Sequence, residues 1–350
     1  MRTNFLLTGF TLTALFSATT AFGADPRLLN LVMPDATTLA GANVTNAEIT
    51  PFGQYVLTEL TTSANVELQT FVTATGFDPR RDVSEILAAS SGNAASPSGL
   101  VLAMGNFNVS QITAAITAKA PAQTVQTYGG ATLITGGNAK ASFSLAFLGT
   151  NIAIVGDTAS VKAAIDRSAS ANSINTALAV QVQALSTTED AWVVTDSPLT
   201  SLIPGLGATP TAPATGVTIP APVSPFGQMF SSIQGSSGGI KFGTTVQITG
   251  QVTTTDAASA ISLANVLQAL VSIASMAGGQ DPQIATMAQI LQGMKVTANG
   301  PAINVALSIP ETQVETILNG MRNQATPAMR SAVRPAIAPR AQRAPAAAQQ

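Results

Sequence analysis

The chain has 350 residues, 46% apolar and only 9% charged, with a formal net charge of −2 and a mean hydropathy of +0.33. It contains no histidine and no cysteine. Those absences exclude Ser-His-Asp and Cys-His catalysis, disulfide staples and the usual zinc sites. Stability must come from packing, and with aromatics at 5% the packing falls to Ala, Val, Ile and Leu.

The N-terminus, MRTNFLLTGFTLTALFSATTAFGADP, places Arg2 before an apolar run from Phe5 to Phe16. Ala21 and Gly23 then stand at the −3 and −1 places of a cleavage site. The run is short for a membrane span, so residues 1–23 read as a secretory signal peptide, with the mature chain starting at Ala24. With no cysteine, a lipoprotein anchor is not expected. Export predicts a periplasmic or extracellular protein, and a charge content well under the typical ~25% fits that style.

The next elements follow in order. TTLAGANV (37–44) reads as a short strand, and TPFGQYVLTEL as a helix with Thr50 as N-cap and Pro51 in the first position. In a second helix Leu68, Phe71, Val72 and Thr75 share one face. It ends at Gly76, where a left-handed residue stops a helix and Phe77 folds back on the last turn. Asp78 is then an N-cap, Pro79 the first residue of a new turn, and the Arg81 backbone N–H the donor that Asp78 reaches. ILAAS enters a strand. This stretch concentrates charge: Asp78, Arg80, Arg81, Asp82 and Glu85. Asp78 with Asp82, or Asp82 with Glu85, would make an acid/base pair only if their pKa values were pushed apart. Two adjacent arginines should keep them ionised instead. The cluster therefore reads as chain geometry, with Arg80 and Arg81 left as candidate anion binders.

The run GFDPRRDV, after MPDATTLAGANV and PFGQ, resembles a group of uncharacterised exported bacterial proteins built on duplicated α+β units. The resemblance covers the first half of the chain. It implies a fold and no activity.

Further on, SGLVLAMG (98–105) reads as a strand, a helix starts at Asn108, ATLITGGNAKASFSLAFL (131–148) is a hairpin, and a helix follows Asp157. AWVVT (191–195) is a strand, with Glu189-Asp190 at its start. SPFGQMFSSIQ (224–234) repeats the PFGQ helix. GSSGG (235–239) matches G-x-S-x-G in form, with Ser237 in the nucleophile place, but without histidine it reads as a flexible connection. In 242–252, Val246, Ile248, Gly250 and Val252 alternate with polar residues, as do Ile303, Val305, Leu307 and Ile309 in the hairpin 294–309. Such alternation favours antiparallel sheets with helices on one side. The uncharged stretch 257–278 carries a polar stripe (Ser259, Ser262, Asn265, Gln268, Ser272, Ser275), which marks a buried helix on a sheet and not a span. Asp256 caps it, and Asp281 with Pro282 starts another helix.

The fold class expected is α+β, with two similar halves, each an antiparallel sheet packed on helices. The divisions are a signal peptide (1–23), a first half (24–200), a Pro/Gly-rich linker or loop (201–225), a second half (226–326) and a disordered Pro/Ala/Arg tail (327–350). From Ala24 to Thr326 there are 10 basic and 17 acidic residues, while the tail holds Arg330, Arg334, Arg340 and Arg343 and no acid. Those arginines suit an anionic envelope polymer or lipid surface; no nucleic-acid partner is expected. No phosphate loop, S-x-x-K dyad, calcium loop or cofactor motif occurs, so no catalytic, cofactor or metal residue is assigned. Three readings stand: an exported protein with a non-enzymatic binding or structural role, a carrier of an apolar ligand between sheet and helices, and a carboxylate-dependent hydrolase.

Overall fold

A computed structural model describes residues 23–62, 66–92, 98–120, 122–138, 141–170, 174–197, 232–277 and 290–316. Twelve strands form one antiparallel sheet in the order β11-β12-β10-β9-β8-β1-β2-β3-β7-β6-β5-β4. They are β1 (Thr38–Asn43), β2 (Val83–Ser90), β3 (Gly99–Gly105), β4 (Thr124–Tyr128), β5 (Ala131–Asn138), β6 (Ala141–Leu148), β7 (Ile152–Asp157), β8 (Ala191–Thr195), β9 (Ile233–Lys241), β10 (Thr245–Thr254), β11 (Lys295–Asn299) and β12 (Ala302–Pro310). Among the described residues the helices include α1 (Pro26–Leu29), α2 (Val44–Glu48), α3 (Pro51–Thr62), α4 (Val66–Thr75), α5 (Pro79–Asp82), α6 (Val109–Lys119), α7 (Thr158–Arg167), α8 (Thr176–Thr188) and α9 (Ala257–Ala277).

The sheet is symmetric in its strand order. From the central pair outward, β1-β2-β3-β7-β6 on one side matches β8-β9-β10-β12-β11 on the other. On each side a helix, α6 or α9, follows the third strand; on the first side β4 and β5 then intervene before the hairpin β6–β7. The hairpin that matches 294–309 is therefore β6–β7, not the expected β5–β6. β7 holds the place beside β3 that β12 holds beside β10, and β4 and β5 extend the first side outward. β8 lies within residues 24–200, yet it takes the place in the second set that β1 takes in the first. The first PFGQ helix is α3, with Gly53 N–H donating to Thr50 Oγ1 at 3.2 Å. The second PFGQ, the Asp281 helix, the 201–225 segment, the tail and residues 1–22 lie outside the described residues.

Helices cover both faces of the sheet, not one. On the first face Leu39, Leu87, Leu100, Leu102, Leu133, Ile154 and Val194 pack with Val161 and Ile165 of α7 and Leu178 and Val182 of α8. On the opposite face Ile134, Phe147 and Ala153 pack with Phe107 and Ile112 of the α6 region. Neighbouring residues alternate between the two cores, as pleating requires: Leu102 with Ala103, Leu133 with Ile134, Ala146 with Phe147. The reason is legible in the runs ILAA, LVLAM and IAIV, which are apolar at successive positions and must be covered twice.

The segment 24–36, given no element from the sequence, is core. Leu28, Leu31, Val32, Met33 and Ala36 are all buried on the first face. Asn30 Nδ2 donates to the Arg167 and Ser170 carbonyls, and Arg167 Nη2 donates to Leu31 O at 2.8 Å. The GSSGG run is not a connection but the middle of β9, paired with β8 and β10. Glycine suits it because neighbours approach closely: a Cβ on Gly239 would meet Glu189 Cγ at 2.3 Å, and one on Gly238 would meet Thr249 O at 2.7 Å. α9 carries Ala260, Leu263 and Ala264 against Ile233 and Ile303, consistent with a helix buried on one side. Among the described residues no helix is long and apolar enough to cross a membrane.

Candidate functional site

Among the described residues, no helix lies over an apolar strip that crosses the middle of the second face. Register places Val193 (β8), Ala40 (β1), Ala88 (β2) and Val101 (β3) in one row. Ala191, Ala42, Ile86 and Ala103 make the next row. Val193 and Val101 are each 45% exposed and Ile86 is 37% exposed, although all three stand near the centre of the sheet. An antiparallel sheet can leave one face to water, but that face is then normally polar, and here it is apolar. Here the helical cover stops on either side: α9 lies over β10–β12, and the α2–α6 region packs beyond, around Val83, Phe107 and Phe147. The two rows carry no charged or polar side chain. A row of hydroxyls borders them, Thr195, Thr38 and Ser90, with the Thr38 and Thr195 Oγ1 atoms 2.9 Å apart. The sequence signal for the strip was the pair of unbroken apolar runs in β2 and β3, which period-two reading of one wet face overlooked.

The charged turn is built as a turn. Gly76 has φ +67°, and Phe77 packs edge-on against Phe71 and tilted against Phe107. Asp78 caps α5, but its side chain accepts from the Arg80 N–H at 3.1 Å, not from Arg81; the Arg81 N–H goes to the Asp78 carbonyl. Pro79 is the first helical residue. Arg80 holds Asp78 through Nε and Nη2, and Arg81 holds Asp82 through a bidentate pair at 2.7 and 2.9 Å while Nη2 also reaches Gly76 O. Each guanidinium, offered as an anion binder, is thus engaged by a carboxylate one or two residues away. The arginine hydrogen bonds hold both Asp78 and Asp82 below the usual carboxylate range, so neither can serve as an acid near neutrality.

Glu85 departs from that logic. Its side chain lies on the first face, beneath α1, where burial pushes it up to about 7. The arginines of the turn do not reach it; its hydrogen-bond donor is the Asp25 N–H, at 3.1 and 3.3 Å from its two oxygens.

Asp190, read as the start of a strand, is also a buckle. It is 1% exposed, accepts from Lys241 Nζ and Phe242 N at 2.7 Å and from Asn46 Nδ2 at 3.0 Å, and its carbonyl takes the Asn43 N–H. It ties β8, α2 and the β9–β10 turn together where the two sets of strands meet. Asp256 caps α9, accepting from the Ser259 N–H at 2.8 Å. Asp281 lies outside the described residues. Ser237 sits within the sheet, and among the described residues no three Asp or Glu side chains converge as a metal site. A second groove, about 370 Å³ on the first face, lies between α8 and β9–β12 and is rimmed by Gln181, Ser237, Gln251 and Asn304.

Comparison with known protein families finds no match, and neither does comparison with curated proteins. Among solved structures the chain is similar to TP0453 in three crystal forms, at 8% identity and TM-scores of 0.45, 0.48 and 0.47. Each alignment covers 83% of this chain and 95–97% of the other. At those scores the likeness carries no argument about function.

Proposed function

We propose that this is an exported, non-enzymatic binding protein that holds an apolar ligand, of the acyl-chain class, on the strip formed by Val193, Ala40, Ala88, Val101 and Ile86. The observation that supports this reading is the exposure of large apolar side chains at the centre of a sheet whose flanks are covered. Contiguous apolar surface rimmed by polar residues marks a place where something binds. The strip has no ionisable group to perform chemistry on its occupant; the bordering hydroxyls are engaged within the chain, Thr195 being buried and paired with Thr38 and the Ser197 N–H, so the apolar surface itself carries the binding. Export is supported by the N-terminal pattern of Arg2, the apolar run Phe5 to Phe16 and the small residues Ala21 and Gly23. The arginine-bearing tail would add a weak, salt-sensitive attraction to an anionic envelope surface.

The purified protein, extracted with organic solvent, is expected to release a lipid in near-stoichiometric amount, read by mass spectrometry. An extract without any acyl-chain compound, from protein produced by secretion, would contradict the proposal.

A further inference from the structure

We propose that the α-amino group released by cleavage after Gly23 is a built-in partner for Glu85, and that this pair fastens the leading segment of the mature chain into the core. The inference rests on the export reading, but its test does not need natural cleavage.

The geometry is as follows. Both Glu85 oxygens receive the Asp25 N–H, at 3.1 and 3.3 Å. The nitrogen of Ala24 is one residue further, a step of no more than about 3.6 Å. Cleavage would turn that nitrogen into an ammonium within about 7 Å of the carboxylate, a distance that one backbone rotation shortens. Ala24 is itself buried at 7% exposed, so the new charge arises inside the packed region rather than on a free end.

Among the described residues Glu85 forms no ion pair of its own. On α1, Arg27 lies closest, but its Nε and Nη2 are held by the Asp25 carboxylate at 3.1 and 2.8 Å. The Asp25 carboxylate adds negative charge beside Glu85. Across the sheet its register partners are Asn43 on β1 and Met104 on β3, neither charged. While the bond to Gly23 is intact, burial dominates and Glu85 is pushed up to about 7. The sign then follows. A carboxyl group whose folded pKa is raised binds protons more tightly folded than unfolded. Its contribution to stability is present at low pH and is lost as pH rises from about 4.5 through 7. An ammonium beside it removes that loss, because the ionised carboxylate gains a partner.

The arrangement also orders the events. Gly23 lies against α8, where a Cβ would meet Ser186 Oγ at 3.1 Å and Gln183 Nε2 at 3.2 Å. With Ala24 buried behind it, the Gly23–Ala24 bond is cut before the segment docks. The uncut chain would dock with Glu85 unpaired, and so be less stable near neutral pH than the mature protein.

The experiment compares the chain begun at Ala24 with a free amine, the same chain N-acetylated, and both in the Glu85→Gln background. At pH 7 the free-amine chain is expected to melt several degrees higher than the acetylated chain. The gap should close at pH 4.5 and vanish with Glu85→Gln. Equal melting at pH 7, or a gap that persists in Glu85→Gln, would overturn the pairing. Should Glu85→Gln fail to fold, the α-amine titration of ¹⁵N-labelled Ala24 decides: a midpoint above the ordinary ~7.7–8.0 supports the pair, and one within it does not.

Discussion

Asp190→Ala is expected to lower the unfolding free energy by about 3 kcal/mol, enough to remove a large share of the stability of an ordinary domain. The carboxylate is buried and accepts three donors from three separate parts of the chain. Lys241 is 44% exposed and can turn to water when its partner is lost. The Phe242 N–H and the Asn46 amide are only partly buried, and a donor left unpaired out of water costs about 1–3 kcal/mol. Lys241→Met leaves the buried Asp190 carboxylate with two neutral donors and no cation, so it should cost an amount comparable to Asp190→Ala. Urea unfolding with an unchanged slope measures both. A loss below about 0.5 kcal/mol for Asp190→Ala would show that the two sets of strands are joined by packing alone.

Gly41→Val is the second large effect. Gly41 sits in β1 opposite Trp192, whose ring lies over it: an added Cβ would stand 2.4 Å from Cζ2 and 2.5 Å from Cε2. The indole is 7% exposed and packs in the main core, so it cannot swing into solvent without opening a void. Overpacking of this kind costs about 1–3 kcal/mol, and a branched residue under a ring belongs at the upper end. The companion test is the pair Gly41→Val with Trp192→Leu. A smaller side chain opposite should recover part of the loss, so the double variant is more stable than the two single costs added together. Strict additivity would mean that the glycine is required for something other than the ring.

How much was legible in the sequence depended on the range of the interaction. Caps and turns are local, and Gly76, Asp78, Pro79 and Asp256 sit where their residue types imply, with one donor displaced by a residue. Strands with a polar face, β10 and β12, were plain from alternation. β9 was missed because glycine and serine give no propensity signal; its place is set by the two strands that approach it. α1 and the segment to Ala36 were missed because Leu28, Leu31 and Val32 have no period long enough to read, and only α7, α8 and the sheet explain their burial. The same holds for the candidate site. Val101 and Val193 are ordinary strand residues in sequence, separated by some ninety positions, and register alone sets them in one row. Glu85 shows the converse. It was grouped with Asp78 and Asp82 by nearness in sequence, but a strand carries it to the other face, away from the arginines and under Asp25.

The central claim is that the open strip binds an apolar ligand, and the most direct measurement titrates delipidated protein with a fluorescent fatty-acid analogue. Wild type is compared with the variant carrying Val101→Glu and Val193→Glu. Both positions are nearly half exposed, so the variant should keep its melting temperature within a few degrees. Each valine is already more than half buried, so covering the remainder contributes about 1 kcal/mol, and two together correspond to roughly a 30-fold change in Kd. The account predicts saturable binding by wild type and a loss of that order in the folded variant. Equal affinity in the two proteins, or no binding by wild type at all, would contradict it.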